Sequence, residues 1–252
     1  MESMIGLDLI GLSVPLLILV LGAYVVYGMT GFGSTVLSMP LLAQLLPLKF
    51  AVPLMLLLDL GAFTLFGARF RRGIRYDEIR WLVVFMLAGI AIGLTLLIRV
   101  SEQRLLAALG LFVLSYAAYG LRRQGAPLAL ARAWSVPIGL TGGALSAMFG
   151  TGGVLFAIFN SGRIRDKSEL RATNAAMIMA SSIVRVVLFG AAGLLSQSGL
   201  IVTALLLAPA MIAGLLIGNR LHAAIPTVAV VRVVYLLLVV AGLSLLVRAA
   251  AS

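Results

Sequence analysis

Two glycine-rich segments have the composition of an anion-binding site. The first reads Gly-Phe-Gly-Ser-Thr at positions 31–35, and the second reads Gly-Thr-Gly-Gly at positions 150–153. A glycine-rich break in a membrane helix frees backbone N–H groups, and the half-helix after it directs them, with the positive end of its dipole, at one point. The alternative is that these glycines only allow close helix packing. The residues predicted to bind an anion here are Gly31, Gly33, Ser34, Thr35, Gly150, Thr151, Gly152 and Gly153.

Two ionisable residues fall within apolar segments, where a charged side chain is costly and is therefore a candidate functional residue. Arg185 is expected to pair with an oxygen of an anionic substrate. The alternatives for Arg185 are snorkelling to the outer interface and a structural ion pair. Asp59 is interpreted either as a proton-coupling carboxylate or as a structural group, which pairs with Arg185 or forms a packing hydrogen bond.

Four other polar side chains are secondary candidates for the same site. Thr30 adds a hydroxyl beside the first glycine break, and Asn174, Ser181 and Ser182 lie on the segment that contains Arg185. Hydroxyls in membrane helices often bond to carbonyls of their own helix instead, which is the competing interpretation.

The composition indicates what kind of protein must position these residues. Of the 252 residues, 62% are hydrophobic and only 11% are charged, and the mean hydropathy is +1.17. A soluble domain is about half apolar and about one quarter charged, so this chain has too little polar surface to be one. Only helices and closed barrels satisfy their backbone in lipid, and a barrel needs alternating strands. We therefore predict an all-α, polytopic membrane protein.

Ten apolar segments are visible, and two of them are too short for a full crossing of about 20 residues. The short ones are 31–47 and 152–161, and both follow a glycine-rich break, which indicates broken helices or hairpins. The other eight lie at about 8–28, 50–68, 81–98, 104–121, 134–150, 172–192, 199–218 and 228–248.

The basic residues predict the orientation in the membrane. Most of the 19 Lys and Arg residues fall in four loops, at 69–80, 122–132, 163–171 and 220–232. Cytoplasmic loops are enriched in Lys and Arg, so these loops are predicted to face inside and both termini outside. The net charge of +11 is thereby explained by topology, and no nucleic-acid partner is expected.

The order of the motifs indicates an internal repeat. The segment 31–37 matches 150–156, and an Ala-Gly-x-x-x-Gly motif at 88–93 matches another at 213–218. With the predicted topology, the two halves have opposite orientations. We predict two inverted repeats, at 1–125 and 126–252, each a broken-helix hairpin followed by three transmembrane helices.

These motifs resemble those of the sulfite exporter TauE/SafE family, in the toluene sulfonate uptake permease group. The resemblance rests on the Gly-x-Gly-(Gly/Ser) motif early in each half, with Pro40 closing the first copy, and extends over the length and layout of the whole chain. It implies a small secondary carrier of a bacterial-type inner membrane. Its substrates would be sulfite or organosulfonates such as sulfoacetate, often exported.

The predicted function is secondary transport of a small anion by alternating access around a site near the membrane midplane. The expected partners are the anionic substrate, the lipid bilayer and a coupling ion such as a proton. Two alternatives within transport are a passive anion channel and a carrier of another small organic anion, and a third is a membrane scaffold subunit. The sequence has no enzyme motif such as a Ser-His-Asp set, HExxH or a phosphate-loop lysine. It has no cysteine and one histidine, so we expect neither a metal nor another cofactor.

Overall fold

The computed structural model describes residues 2–30, 34–66, 73–122, 130–221 and 227–251. These ranges form ten α-helices and one 3-10 turn, Arg132–Trp134, and contain no strand. The helices are α1 (Glu2–Thr30), α2 (Ser34–Leu45), α3 (Leu48–Phe66), α4 (Tyr76–Arg99), α5 (Glu102–Arg122), α6 (Ser135–Phe149), α7 (Gly153–Ser161), α8 (Lys167–Ala191), α9 (Leu200–Leu221) and α10 (Thr227–Ala251).

The predicted all-α, polytopic membrane fold is confirmed. Within the described ranges, six helices are long and apolar enough to cross a membrane: α3, α4, α5, α8, α9 and α10. The two segments predicted to be short form α2, with 12 residues, and α7, with 9 residues. Neither helix can cross a bilayer alone, because about 20 residues are needed.

Helix α1 begins about six residues earlier than the apolar pattern predicts, at Glu2, and α4 and α8 each begin about five residues earlier. Helix α4 begins at Tyr76 and has two carboxylates in its first turn, which stabilise the helix start by their interaction with the positive end of the helix dipole. Helix α8 begins at Lys167 because the Asp166 side chain accepts a hydrogen bond of 2.8 Å from the N–H of Glu169 and caps the helix. Polar first turns therefore extend α4 and α8 beyond their apolar segments.

Close backbone contacts fix the main helix pairs, which are α4 with α6, α1 with α9, and α5 with α10. The Ala-Gly-x-x-x-Gly motifs lie in the first two pairs. A Cβ atom added at Gly89 would collide with the carbonyl oxygen of Leu140, and one at Gly218 with that of Val25. The motifs thus let α4 approach α6, and α9 approach α1, to backbone contact.

The helix pairs correspond between the two halves of the chain. Each helix of the first half is matched with the helix five positions later, so that α1 matches α6, α4 matches α9 and α5 matches α10. The α4–α6 pair then matches the α9–α1 pair, and the α5–α10 pair joins two matched helices. This correspondence is what the predicted internal repeat would produce. The boundaries of the two halves at 1–125 and 126–252 and their inverted orientation stay predictions.

Candidate functional site

The two short helices begin beside each other inside the protein. The hydroxyl of Thr35, in the first turn of α2, donates a hydrogen bond of 2.8 Å to the carbonyl oxygen of Gly150, just before α7. Helix α2 is buried along most of its length, including every residue from Ser34 to Pro40. The structure thus brings together the segments 34–35 and 150–153, whereas Gly31 and Gly33 lie outside the described residues.

A glycine turn joins α6 to α7 and sets the direction of the second short helix. Gly150 ends α6 with φ of +72°, a left-handed conformation that side chains with a Cβ rarely adopt. Its N–H donates to the carbonyl oxygen of Ser146 at 2.9 Å. Among the described residues, the N–H groups of Gly152 and Gly153 have no acceptor, as expected at the start of a helix.

A cavity of about 40 Å³ lies where the two short helices begin. This is roughly three times the space that one buried water needs. The apolar part of its wall comes mainly from α3, α7 and α8. The polar part consists of Tyr27, Ser34, Thr35, Asp59, Ser146, Gly150, Thr151, Gly153, Ser181, Ser182 and Arg185.

Arg185 is the cationic residue of the cavity wall and is only 3% exposed. Its Nη1 donates to the carbonyl oxygen of Ser146 at 2.9 Å, and its Nη2 donates to Oγ of Ser182 at 3.2 Å. Both contacts are with neutral groups, so they orient the guanidinium without neutralising its charge. A buried charge without an ion-pair partner is disfavoured, and an anion bound in the cavity would provide a partner in direct contact.

Three buried polar atoms of the cavity wall have no hydrogen-bond partner in the described part of the protein. They are Nε of Arg185, Oγ of Ser181 and Oγ1 of Thr151. Buried polar groups are almost always hydrogen-bonded in proteins, so a cluster of three indicates a place for a polar ligand. All three atoms can donate a hydrogen bond, which suits an anion with several oxygens.

Asp59 faces the same cavity from α3. Its Oδ1 accepts hydrogen bonds from the hydroxyls of Tyr24 at 2.7 Å and Ser34 at 3.0 Å. The ion pairs among the described residues, none longer than 3.4 Å, do not include Asp59 or Arg185. Asp59 and Arg185 therefore share a cavity without forming a direct salt bridge, and a small ligand can lie between their charges.

Some predicted site residues have other surroundings. Gly152 is not in the cavity wall, since a Cβ there would point at the carbonyl oxygen of Gly142 and Oγ of Ser146 on α6. Asn174 also lies off the wall and accepts a hydrogen bond of 2.7 Å from the side chain of Asn160, which connects α7 to α8. The side chain of Thr30 lies outside the described residues.

Three residues that contribute to the cavity were not predicted from the sequence. Tyr24 bonds to Asp59, Tyr27 lines the cavity, and Ser146 offers its carbonyl oxygen to Arg185. The signal for the tyrosines was their spacing of three, which places them on one face of α1. The role of Ser146 depends on a backbone atom, and no side-chain pattern indicates it.

Comparison with known proteins gives two findings. Residues 16–245 match the family described as "Sulfite exporter TauE/SafE". The chain is also 34% identical over 196 residues to "Probable inner membrane transporter protein TsaS" of Comamonas testosteroni, and the match covers 76% of this chain and 81% of that relative. No solved structure matches.

Proposed function

Because this chain belongs to the sulfite exporter TauE/SafE family of membrane transporters, we propose that it transports a small sulfur oxyanion through the cavity between α2 and α7. Sulfite and sulfonates each present three oxygens on one sulfur. The observation that supports this class of substrate is the cluster of three unpartnered donors on Arg185, Ser181 and Thr151. The N–H group of Gly153, which is in the cavity wall, adds the positive end of the α7 dipole.

The size of the cavity favours a small anion. About 40 Å³ is room for a group equivalent to a few water molecules, and this suits sulfite or the sulfonate end of a short organosulfonate. The apolar wall, which includes Phe63, Val154 and Ile178, accommodates a short carbon chain. The family description names export. Coupling of anion binding to protonation, as proposed below, would instead drive uptake under an inward proton gradient, and flux measurements in proteoliposomes distinguish the two directions.

The proposed mechanism is alternating access around the cavity, with the two halves inverted. Lys49 is in the first turn of α3, which follows the end of α2 after two residues, and it contacts the end of α4, because its Nζ donates to the carbonyl oxygen of Ile98 at 2.9 Å. Arg163, just after α7, contacts the start of α4, where it pairs with Glu78 at 2.5 Å. The two short helices thus lead toward opposite ends of the same membrane-spanning helix, and this supports the proposed inversion of the two halves. The hydrogen bonds that Arg163 donates to the Glu78 carboxylate also raise the pKa of Arg163 above its ordinary value, so the guanidinium stays charged.

Asp59 is the proposed coupling group. When it is ionised, its negative charge opposes that of Arg185 and repels an anion in the shared cavity. When it is protonated, the charge of Arg185 is unopposed, so the anion binds better. Protonation and anion binding therefore favour each other, and this coupling is reciprocal.

Removal of the two unpartnered hydroxyls tests the site without breaking a protein hydrogen bond. The double variant Thr151→Val with Ser181→Ala should keep wild-type thermal stability in the absence of ligand. It should bind sulfite at least tenfold more weakly, since a hydrogen bond to a charged group contributes about 1.5–3 kcal/mol. The matched control is Thr95→Val with Ser115→Ala, because both of those hydroxyls are exposed and bond to their own helix.

The substrate and the carrier mechanism are tested on the purified protein. Thermal shifts with sulfite, sulfate, thiosulfate, sulfoacetate and taurine rank the ligands, because a ligand that binds the folded state stabilises it. Flux into proteoliposomes should then saturate and show counterflow for the best ligand. A linear, non-saturating conductance would instead indicate a passive channel. Unchanged sulfite affinity in the double hydroxyl variant would reject the proposed site.

A further inference from the structure

Two arginines share one tryptophan ring at the end of the protein where α4 begins. The guanidinium carbon of Arg80 lies 5.6 Å from the centre of the Trp81 ring, and that of Arg132 lies 5.7 Å from it. Arg80 and Trp81 are in the second turn of α4, and Arg132 begins the 3-10 turn before α6. We call these three residues the Trp81 cluster. It lies away from the transport cavity, whose wall includes none of them.

The acidic groups at this end of the protein are engaged elsewhere. Asp77 and Glu169 pair with Arg75, and Glu78 pairs with Arg163. Asp166 caps α8.

Arg80 and Arg132 thus form no ion pair within the described residues. The segments 67–72 and 123–129, which lie outside the description, contain no acidic residue in the sequence. The Trp81 cluster is therefore an exposed pair of positive charges with no carboxylate in ion-pair contact. The Asp77 carboxylate, which is bound to Arg75, interacts with Arg80 only at longer range, so both guanidinium groups keep donors for an external anion.

The position of the cluster indicates what kind of anion this is. Trp81 is 45% exposed and Trp134, two residues after Arg132, is 52% exposed. Exposed tryptophans beside apolar helices are typical of the membrane–water interface. Val84 and Leu87 follow Arg80 by four and seven residues, so they continue the same face of α4, and both are exposed. The cluster thus has a charged end at the level of lipid headgroups and an apolar wall at the level of acyl chains.

We propose that the Trp81 cluster binds an anionic phospholipid, with its phosphate on Arg80 and Arg132 and its acyl chains along Val84 and Leu87. Arginine suits this role because its planar guanidinium makes paired hydrogen bonds to phosphate oxygens and stacks on an aromatic ring at the same time. Free phosphate satisfies only the charged end, whereas a lipid also covers the apolar wall.

Native mass spectrometry in a non-ionic detergent tests this inference. The probes are phosphatidylglycerol and phosphatidylcholine with identical acyl chains. The wild-type protein should retain phosphatidylglycerol in preference to phosphatidylcholine. Arg80→Gln and Arg132→Gln should each weaken phosphatidylglycerol binding about fivefold, the effect of roughly one basic residue at an anionic membrane surface. Both changes together should remove the preference.

Three controls make the result decisive. Arg104→Gln, at an exposed arginine near the start of α5, should leave binding unchanged. The double variant Arg80→Lys with Arg132→Lys keeps the charge and should retain part of the preference. Inorganic phosphate at millimolar concentration should not displace the lipid. Equal retention of both lipids by the wild type, full retention of phosphatidylglycerol by the double glutamine variant, or displacement by phosphate would each overturn the proposal.

Discussion

The hydroxyl of Thr35 donates to the carbonyl oxygen of Gly150 across 115 positions of sequence. This 2.8 Å hydrogen bond joins the first turn of α2 to the turn that precedes α7. It fixes the distance between two helix starts that belong to different halves of the chain. Thr35 and Gly150 are both in the cavity wall, so this contact holds two parts of the wall together.

Loss of the Thr35 hydroxyl should loosen this junction. Thr35→Val removes the donor and leaves the Gly150 carbonyl without it, so we expect a destabilisation of about 1–3 kcal/mol. Thr35→Ser keeps a hydroxyl at the same position and should stay closer to wild type. Unfolding of both variants in the same mixed detergent measures the difference. Equal stability of the two would show that the hydrogen bond contributes nothing.

Arg185 should be required for anion binding. Arg185→Gln removes the charge and the Nε donor, and we expect anion affinity to fall by about 1–3 kcal/mol. Arg185→Lys should also impair binding, because the planar fork that reaches both Ser146 and Ser182 is lost. Titration calorimetry with sulfite gives the affinities, and Arg104→Gln is the matched control. A glutamine variant with wild-type affinity would assign Arg185 a purely structural role.

Asp59 should determine the pH dependence of transport. In the wild type, anion binding should weaken as rising pH ionises Asp59, because its negative charge then opposes that of Arg185. Asp59→Asn cannot ionise, so its counterflow should persist and no longer vary with pH over that range. A proton gradient should also cease to drive accumulation of the anion in proteoliposomes. Gradient-driven accumulation that survives in Asp59→Asn would place the coupling group elsewhere.

Substitution of Gly152 or Gly153 by alanine should have different effects on stability and on anion affinity, although the two residues are adjacent. A Cβ at Gly152 would collide with the Gly142 carbonyl oxygen, which is backbone and cannot yield, so Gly152→Ala should destabilise the protein by about 1–3 kcal/mol. A Cβ at Gly153 would lie 3.1 Å from a side-chain carbon of Ile178, which can shift. Gly153→Ala should therefore fold but reduce anion affinity, because Gly153 lines the cavity. Unfolding and sulfite titration of both variants separate the two effects.

The orientation in the membrane can be tested because the chain has no cysteine. Single cysteines placed by Ser3→Cys and Arg72→Cys give two reporters on predicted opposite sides. An impermeant thiol reagent should label position 3 in intact cells and position 72 only after permeabilisation. Labelling of position 72 in intact cells would reverse the predicted topology.

Most of the helices could be predicted from the sequence, because a helix that crosses a bilayer needs a continuous apolar segment of about 20 residues. All ten apolar segments are helices, and the two short ones follow the glycine breaks. The starts of α4 and α8 were predicted too late, since their first turns are polar and hydropathy does not register a cap such as Asp166.

The candidate site could be predicted only in part. Glycines, hydroxyls and Arg185 were identifiable because such residues are conspicuous in apolar segments. Asn174 was predicted at the site but bonds to Asn160, because the rotation of α8 about its axis is set by tertiary packing. The contact of Tyr24 with Asp59 spans 35 positions. The spacing of Tyr24 and Tyr27 places both on one face of α1, but it does not indicate which residue they contact.

The Ala-Gly-x-x-x-Gly contacts interlace the two halves of the chain. Helix α4 of the first half is in backbone contact with α6 of the second half. Helix α9 of the second half is likewise in backbone contact with α1 of the first half. Separation of residues 1–125 from residues 126–252, at the predicted repeat boundary, would therefore break the α4–α6 and α1–α9 contacts. On the proposed alternating-access mechanism, each unit that moves would therefore contain helices from both halves. Each half made alone should be an incomplete fragment, whereas the two fragments made together should assemble into one protein.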